Sequence, residues 1–203
     1  MILAIDTSTA ACSAALFADD GALIDARDEV IGRGHAERLM PMIEVLLAGR
    51  APSQILIGCG PGSFTGLRVG LAAAHGMAIG WNIPLTGMSS LALLAVGAPG
   101  EGPVVAAMTG GHGELFVQTF DRPPLVASDK LRNLSPQAAS ELVATPLVVG
   151  TGAVQLVAAR GSGESLDLYP SARNALLLSA PLRTLEPRPL YGRAPDARPR
   201  QAA

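Results

Sequence analysis

Aromatic residues are scarce in this 203-residue chain: one Trp, two Tyr and four Phe make up 3% of it. That is too few for a row of rings on which bases could stack. Charge of one sign is also lacking, with 15 Lys and Arg against 17 Asp and Glu and a formal net charge of −2. The chain as a whole therefore carries no strongly basic nucleic-acid footprint. Only two cysteines are present, Cys12 and Cys59. Two give no disulfide framework, and their apolar, strand-like settings point to buried free thiols. No hydrophobic run suits a membrane span: the most apolar window, Val69 to Ile83, is short and holds His75, Gly70, Gly76 and Gly80. The start MILAID has no basic segment and an early acid, so no signal peptide is expected and the reading is cytoplasmic.

What is present is an ordered α/β pattern, long enough for one large or two small domains. Residues 2–6, 12–18 and 22–30 read as strands, the first a continuous apolar run suited to a central position. Asp19-Asp20-Gly21 is a hairpin turn between the second and third. A helix over 35–48, a strand over 54–58, a helix over 64–80, a strand over 84–87 and a helix over 90–96 follow, an order that lays helices on a mixed sheet. Gly97 to Pro103 is a Gly/Pro linker, which divides the chain into 1–98 and a smaller unit over 103–180. In that unit, strands 104–108 and 114–120, helix 136–144, strand 147–150 and a helix from 153 are expected. The segment 181–203 is rich in Pro and Arg and reads as an extended or partly disordered tail. It holds five arginines against Glu186 and Asp196, a net +3 that leaves −5 on the rest.

Between strand 54–58 and helix 64–80 runs Gly58-Cys59-Gly60-Pro61-Gly62-Ser63-Phe64-Thr65-Gly66-Leu67-Arg68-Val69-Gly70. Gly60 and Gly62 admit backbone angles closed to other residues, and Ser63 or Thr65 can cap the helix. Such a junction can aim several N–H groups one way, as anion loops do. It lacks the Lys-Ser/Thr ending of a P-loop and the GxGxxG spacing of a dinucleotide fold, so a rigid strand-to-helix turn is the favoured reading. Ser63 has no elbow or His/Asp partner that would make it a nucleophile.

Three segments occur in order: Ile2-Leu3-Ala4-Ile5-Asp6-Thr7-Ser8-Thr9, then Gly34-His35-Ala36-Glu37-Arg38-Leu39-Met40-Pro41, then the GPGSFTGLRVG loop. With these, the chain resembles the TsaB (YeaZ) family, densely to about residue 96 and faintly again at 189–197. The resemblance implies two ribonuclease H-like lobes of the acetate kinase, hsp70 and actin superfamily, with mixed sheets, flanking helices and a reduced second lobe. It implies a non-catalytic dimerisation subunit that supports a TsaD-like transferase and a TsaE-like ATPase in making N6-threonylcarbamoyladenosine, with tRNA met through the complex. A homodimer of the chain alone stays open.

Against that background five features are informative. ATPases of this superfamily hold metal–nucleotide with an acid at the end of the first strand and a glycine in the next turn. Here Asp6, Thr7 and Ser8 stand there without a glycine, so they read as vestigial and no cofactor is expected. Catalytic relatives carry two helix histidines four apart; here His35 is followed by Leu39, so no metal site and no catalytic residue are assigned. The helices 35–48 and 64–80 are apolar or small on more than one face. Their residues leave open a tight monomer core or a subunit interface, and the resemblance implies the interface, through His35, Leu39, Met42, Ile43, Leu46, Arg68, Val69, Ala72, Ala73 and Met77. The family's Asp-Ala-Arg after the first strand of the second lobe is replaced by Thr109-Gly110-Gly111-His112 before Glu114. The tail arginines Arg188, Arg193, Arg198 and Arg200 read as either solvated or reaching the partner or tRNA. The rival function, an ATP-dependent small-molecule kinase or metallopeptidase of this fold, is disfavoured by the missing glycine and histidine.

Overall fold

A computed structural model describes residues 1–190. The first sheet orders its strands β3-β2-β1-β4-β5, comprising β1 (Ile2–Asp6), β2 (Ala11–Phe17), β3 (Leu23–Val30), β4 (Gln54–Gly58) and β5 (Leu85–Met88). The apolar run of β1 is central, antiparallel to β2 and parallel to β4. Alternation along β1 assigns its two faces. Leu3 and Ile5 pack against α1 (His35–Leu47) and α2 (Phe64–Trp81), with Leu39, Ile43, Leu46, Leu71 and Ala74. Ala4 faces the other way, toward α3 (Ser90–Gly97).

Helix α3 is apolar all round and buried, as such a helix must be. Leu91 and Leu94 share one core with Ala15 and Phe17 of the first sheet and with Val104, Met108, Phe116 and Phe120 of the second. That second sheet runs β11-β10-β6-β7-β8, with β9 also on β7. Its members are β6 (Val104–Thr109), β7 (Leu115–Asp121), β8 (Val126–Ala127), β9 (Arg132–Leu134), β10 (Leu147–Val149) and β11 (Glu164–Leu166). Helices α4 (Pro136–Leu142) and α5 (Ala153–Arg160) cover its far face through Ala139 and Leu156. Arg122 pins the Gly/Pro linker: its guanidinium donates to the carbonyls of Ala98, Gly102, Pro99 and Ala95.

The tail departs from expectation. A 3₁₀ helix over Ala172–Leu177 enters the shared core, and α6 (Ala180–Arg183) follows. Residues 184–190 then lie back on the first sheet, with Leu185 bridging Gly87 and Leu190 packed beside the cluster under α2. Backbone pairing and the half-buried Leu190 outweigh the Pro/Arg composition there. Arg188 is exposed and paired with Glu186. Arg193, Arg198 and Arg200 lie outside the described residues.

Candidate functional site

The turn after β1 is a closed polar knot. Asp6 is 1% exposed. Its Oδ1 accepts from the Ser8 N–H at 2.9 Å and the Ser8 hydroxyl at 2.6 Å, and its Oδ2 from the Ser90 hydroxyl at 2.6 Å. Burial pushes its carboxyl up from the ordinary carboxylate range, and the Ser8 and Ser90 bonds partly offset that. Gly58 leaves the carboxylate its room, since a Cβ there would stand on Asp6 Oδ2.

The neighbours of the turn come from the glycine loop. The Ser63 N–H donates to the Ser8 carbonyl at 2.7 Å, and the Thr7 hydroxyl to the Gly66 carbonyl at 2.8 Å. A Cβ at Gly62 would strike the Ser8 carbonyl, one at Gly66 the Thr7 carbonyl, and one at Gly70 the Thr7 hydroxyl. Three glycines thus let the loop and α2 lie directly on the turn. Asp6, Thr7 and Ser8 are occupied and buried, with no side-chain oxygen turned to solvent. Ser63 caps α2 by accepting from the Gly66 N–H at 3.2 Å, as the sequence suggests.

His35 opens α1 and is 8% exposed, its Nε2 lying 3.3 Å from the Ala11 carbonyl oxygen. Leu39, one turn on, is buried in the core. Among the described residues no group of three His, Cys, Asp or Glu could hold a metal ion. Burial raises both thiols, Cys12 and Cys59, to about 11.

The interface residues read from the sequence divide in two. His35, Leu39, Met42, Ile43 and Leu46 are buried within the chain's own core and offer no surface to a partner. The apolar stripe of α1 is consumed by the sheet, a distinction that helical periodicity alone does not make. Arg68 and Ala72 are exposed, and Val69, Ala73 and Met77 are half-buried along the α1–α2 seam. Outside that set, Met40 and Val45 on α1 are 46% and 60% exposed, and Ile79 on α2 is 80% exposed. At Gly76 and Gly80 on α2 no atom of the described residues lies within 4 Å of an added Cβ. Near the α2 N-terminus the Arg68 guanidinium stacks 3.6 Å over the Phe64 ring. At the other end Met40, Glu44, Met77 and Trp81 line a groove of about 540 Å³.

Strand order 3-2-1-4-5, with two successive antiparallel hairpins and then two parallel strands, defines the class: a ribonuclease H-like α/β protein, its first turn sealed. A family model described as TsaD, tRNA N6-adenosine threonylcarbamoyltransferase, matches residues 28–130. TsaB of Escherichia coli, a tRNA threonylcarbamoyladenosine biosynthesis protein, is 40% identical over 129 residues, 60% of this chain and 55% of that protein. The chain thus spans about half the length of that curated relative. An uncharacterized Mycobacterium tuberculosis protein is 33% identical over 98% of this chain and 94% of its own length. The solved structure of YeaZ from Pseudomonas aeruginosa superposes with a TM-score of 0.79 at 31% identity, covering 94% of this chain and 98% of that one. The chain belongs to the family that the TsaD model describes, in its TsaB (YeaZ) form.

Proposed function

We propose that this chain is a non-catalytic subunit of the machinery that makes threonylcarbamoyladenosine in tRNA, stabilising and positioning a TsaD-like transferase. The observation that carries the reading is a contrast along one helix. The inner glycines of α2, Gly66 and Gly70, seal the turn where this fold otherwise meets nucleotide, while its outer glycines, Gly76 and Gly80, face open space. A glycine inside a helix costs about 1 kcal/mol against alanine. With no close neighbour among the described residues to offset it, Gly76 and Gly80 are suited to close approach by a second subunit. The surface offered is Arg68, Ala72, Gly76 and Ile79 of α2 with Met40 and Val45 of α1. A face of two helices is of the size that stable interfaces need, about 800 Å² per partner.

In this reading residues 1–98 carry the partner-binding helices and 103–180 a smaller lobe. The subunit works in the cytoplasm without cofactor or metal, and TsaE-like ATPase and tRNA are met through the complex. Tail arginines from Arg188 onward reach the partner or the tRNA backbone. The test is threonylcarbamoyl transfer to tRNA from a synthetic adenylate. The chain alone is expected to be inert, and activity to appear with a TsaD-like subunit. Transfer, ATP turnover or metal-dependent peptide hydrolysis by the chain alone would favour the kinase or metallopeptidase reading instead.

A further inference from the structure

The edge of β5 away from β4 is a row of backbone groups with no neighbouring strand of its own sheet among the described residues. Residues 184–190 cover it. Leu185 and Gly87 exchange both backbone hydrogen bonds, at 2.7 and 2.9 Å, and the Leu190 N–H donates to the Cys59 carbonyl at 2.8 Å. The Cys59 thiol lies 3.6 Å from the Glu186 carbonyl oxygen. Gly87 is fitted to this cover: a Cβ there would stand 2.9 Å from the Glu186 carbonyl oxygen and 3.1 Å from that of Leu185.

The attachment is slight for what it hides. Among the described residues it consists of one bridge, one further backbone bond, single side-chain contacts from Cys59 and His75 to the Glu186 and Pro187 carbonyls, and one half-buried apolar side chain, Leu190. The ion pair Arg188–Glu186 lies within the segment and is exposed, so it adds little. Few buried contacts and exposed backbone bonds mark a segment that opens locally, well below the cost of global unfolding. Beneath it Cys59 is fully buried. The segment also touches the helix offered to a partner, because His75 Nε2 on the exposed side of α2 lies 3.1 Å from the Pro187 carbonyl oxygen. His75 neighbours Ala72, Gly76 and Ile79, so the strap forms a border of that face.

We propose that residues 184–190 are a detachable strap bordering the α2 face, and that strap closure and occupation of that face by a TsaD-like partner favour one another. The coupling rests on the partner-binding reading above. A partner seated on α2 contacts the closed strap and loses that contact when it opens, and such coupling is reciprocal.

The experiment follows alkylation of Cys59 by iodoacetamide in the full-length chain, read by peptide mass spectrometry, with the core thiol Cys12 as an internal clock for global unfolding. Both thiols are held near 11 by burial, so at pH 8 neither reacts until it is exposed. Cys59 is expected to label faster than Cys12. Leu185→Pro removes the N–H given to Gly87 and should speed Cys59 labelling about fivefold or more, leaving Cys12 unchanged. Leu190→Ala is a second route to the same result. Saturating TsaD-like subunit should slow Cys59 labelling about fivefold or more. A common rate for both thiols, unmoved by either substitution, overturns the detachable strap. A partner that binds without changing the Cys59 rate overturns the coupling. A partner that does not bind the unaltered chain overturns the proposed function and the coupling together, while the arm without partner still decides the strap.

Discussion

Two alanine substitutions on one helix should have opposite signs. At Gly66 the added Cβ meets the Thr7 carbonyl, a backbone atom in the sealed turn that cannot rotate away. Overpacking of this kind costs about 1–3 kcal/mol. The shift also strains the Thr7 hydroxyl bond to the Gly66 carbonyl, now 2.8 Å long, worth about 1 kcal/mol. A loss of about 2–4 kcal/mol lowers Tm by about 5–15 °C in a chain of this size. At Gly76 the Cβ meets nothing within 4 Å, so alanine should stabilise by about 0.5–1 kcal/mol through helix propensity and the unfolded chain. Circular dichroism melts of both variants, with reversibility checked, provide the comparison. Gly66→Ala melting within about 2 °C of the parent would mean that the turn and α2 are not in contact, and the sealed site would be refuted.

Leu39→Ala, in the fully buried stripe of α1, should cost about 2–5 kcal/mol of stability; titration of the folded fraction with a TsaD-like subunit should give parental affinity. The Asp6 carboxyl is raised by burial above its ordinary 3.8, so the folded state binds the proton more readily than the unfolded one. Asp6 ionisation therefore takes stability away as pH rises from about 4 toward neutrality. Denaturant titrations across that range should find the parent losing stability relative to Asp6→Asn, and the opposite slope would show that hydrogen bonding, not burial, dominates. Arg122→Ala, which strips donors from four linker carbonyls, should destabilise by about 1–3 kcal/mol. Arg122→Lys should rescue little, because a point charge cannot span that geometry.

Much of the first sheet was legible because its signals are local and strong. The apolar run of β1, the turn at Asp19-Asp20-Gly21 and the Ser63 and Ser89 caps each appear where expected. The small strands β8, β9 and β11 were not, since two or three residues carry no periodicity. The α1 stripe was read as partner surface because a helix facing its own sheet and one facing another chain present the same 3.6-residue pattern. Burial separates them: Leu39 and Ile43 face the sheet, and Met40 and Val45 face solvent. The strap was illegible because its bonds are made by backbone, which composition does not report.

The central claim is that the outward face of α2 binds a TsaD-like subunit. The direct measurement is the mass, by size-exclusion chromatography with light scattering, of the co-expressed pair with either the parent chain or Ala72→Glu, an exposed position on that face. The account predicts a stable heteromeric complex with the parent, and with Ala72→Glu a folded chain that elutes apart from its partner. A complex that forms undiminished with the folded Ala72→Glu chain would contradict it.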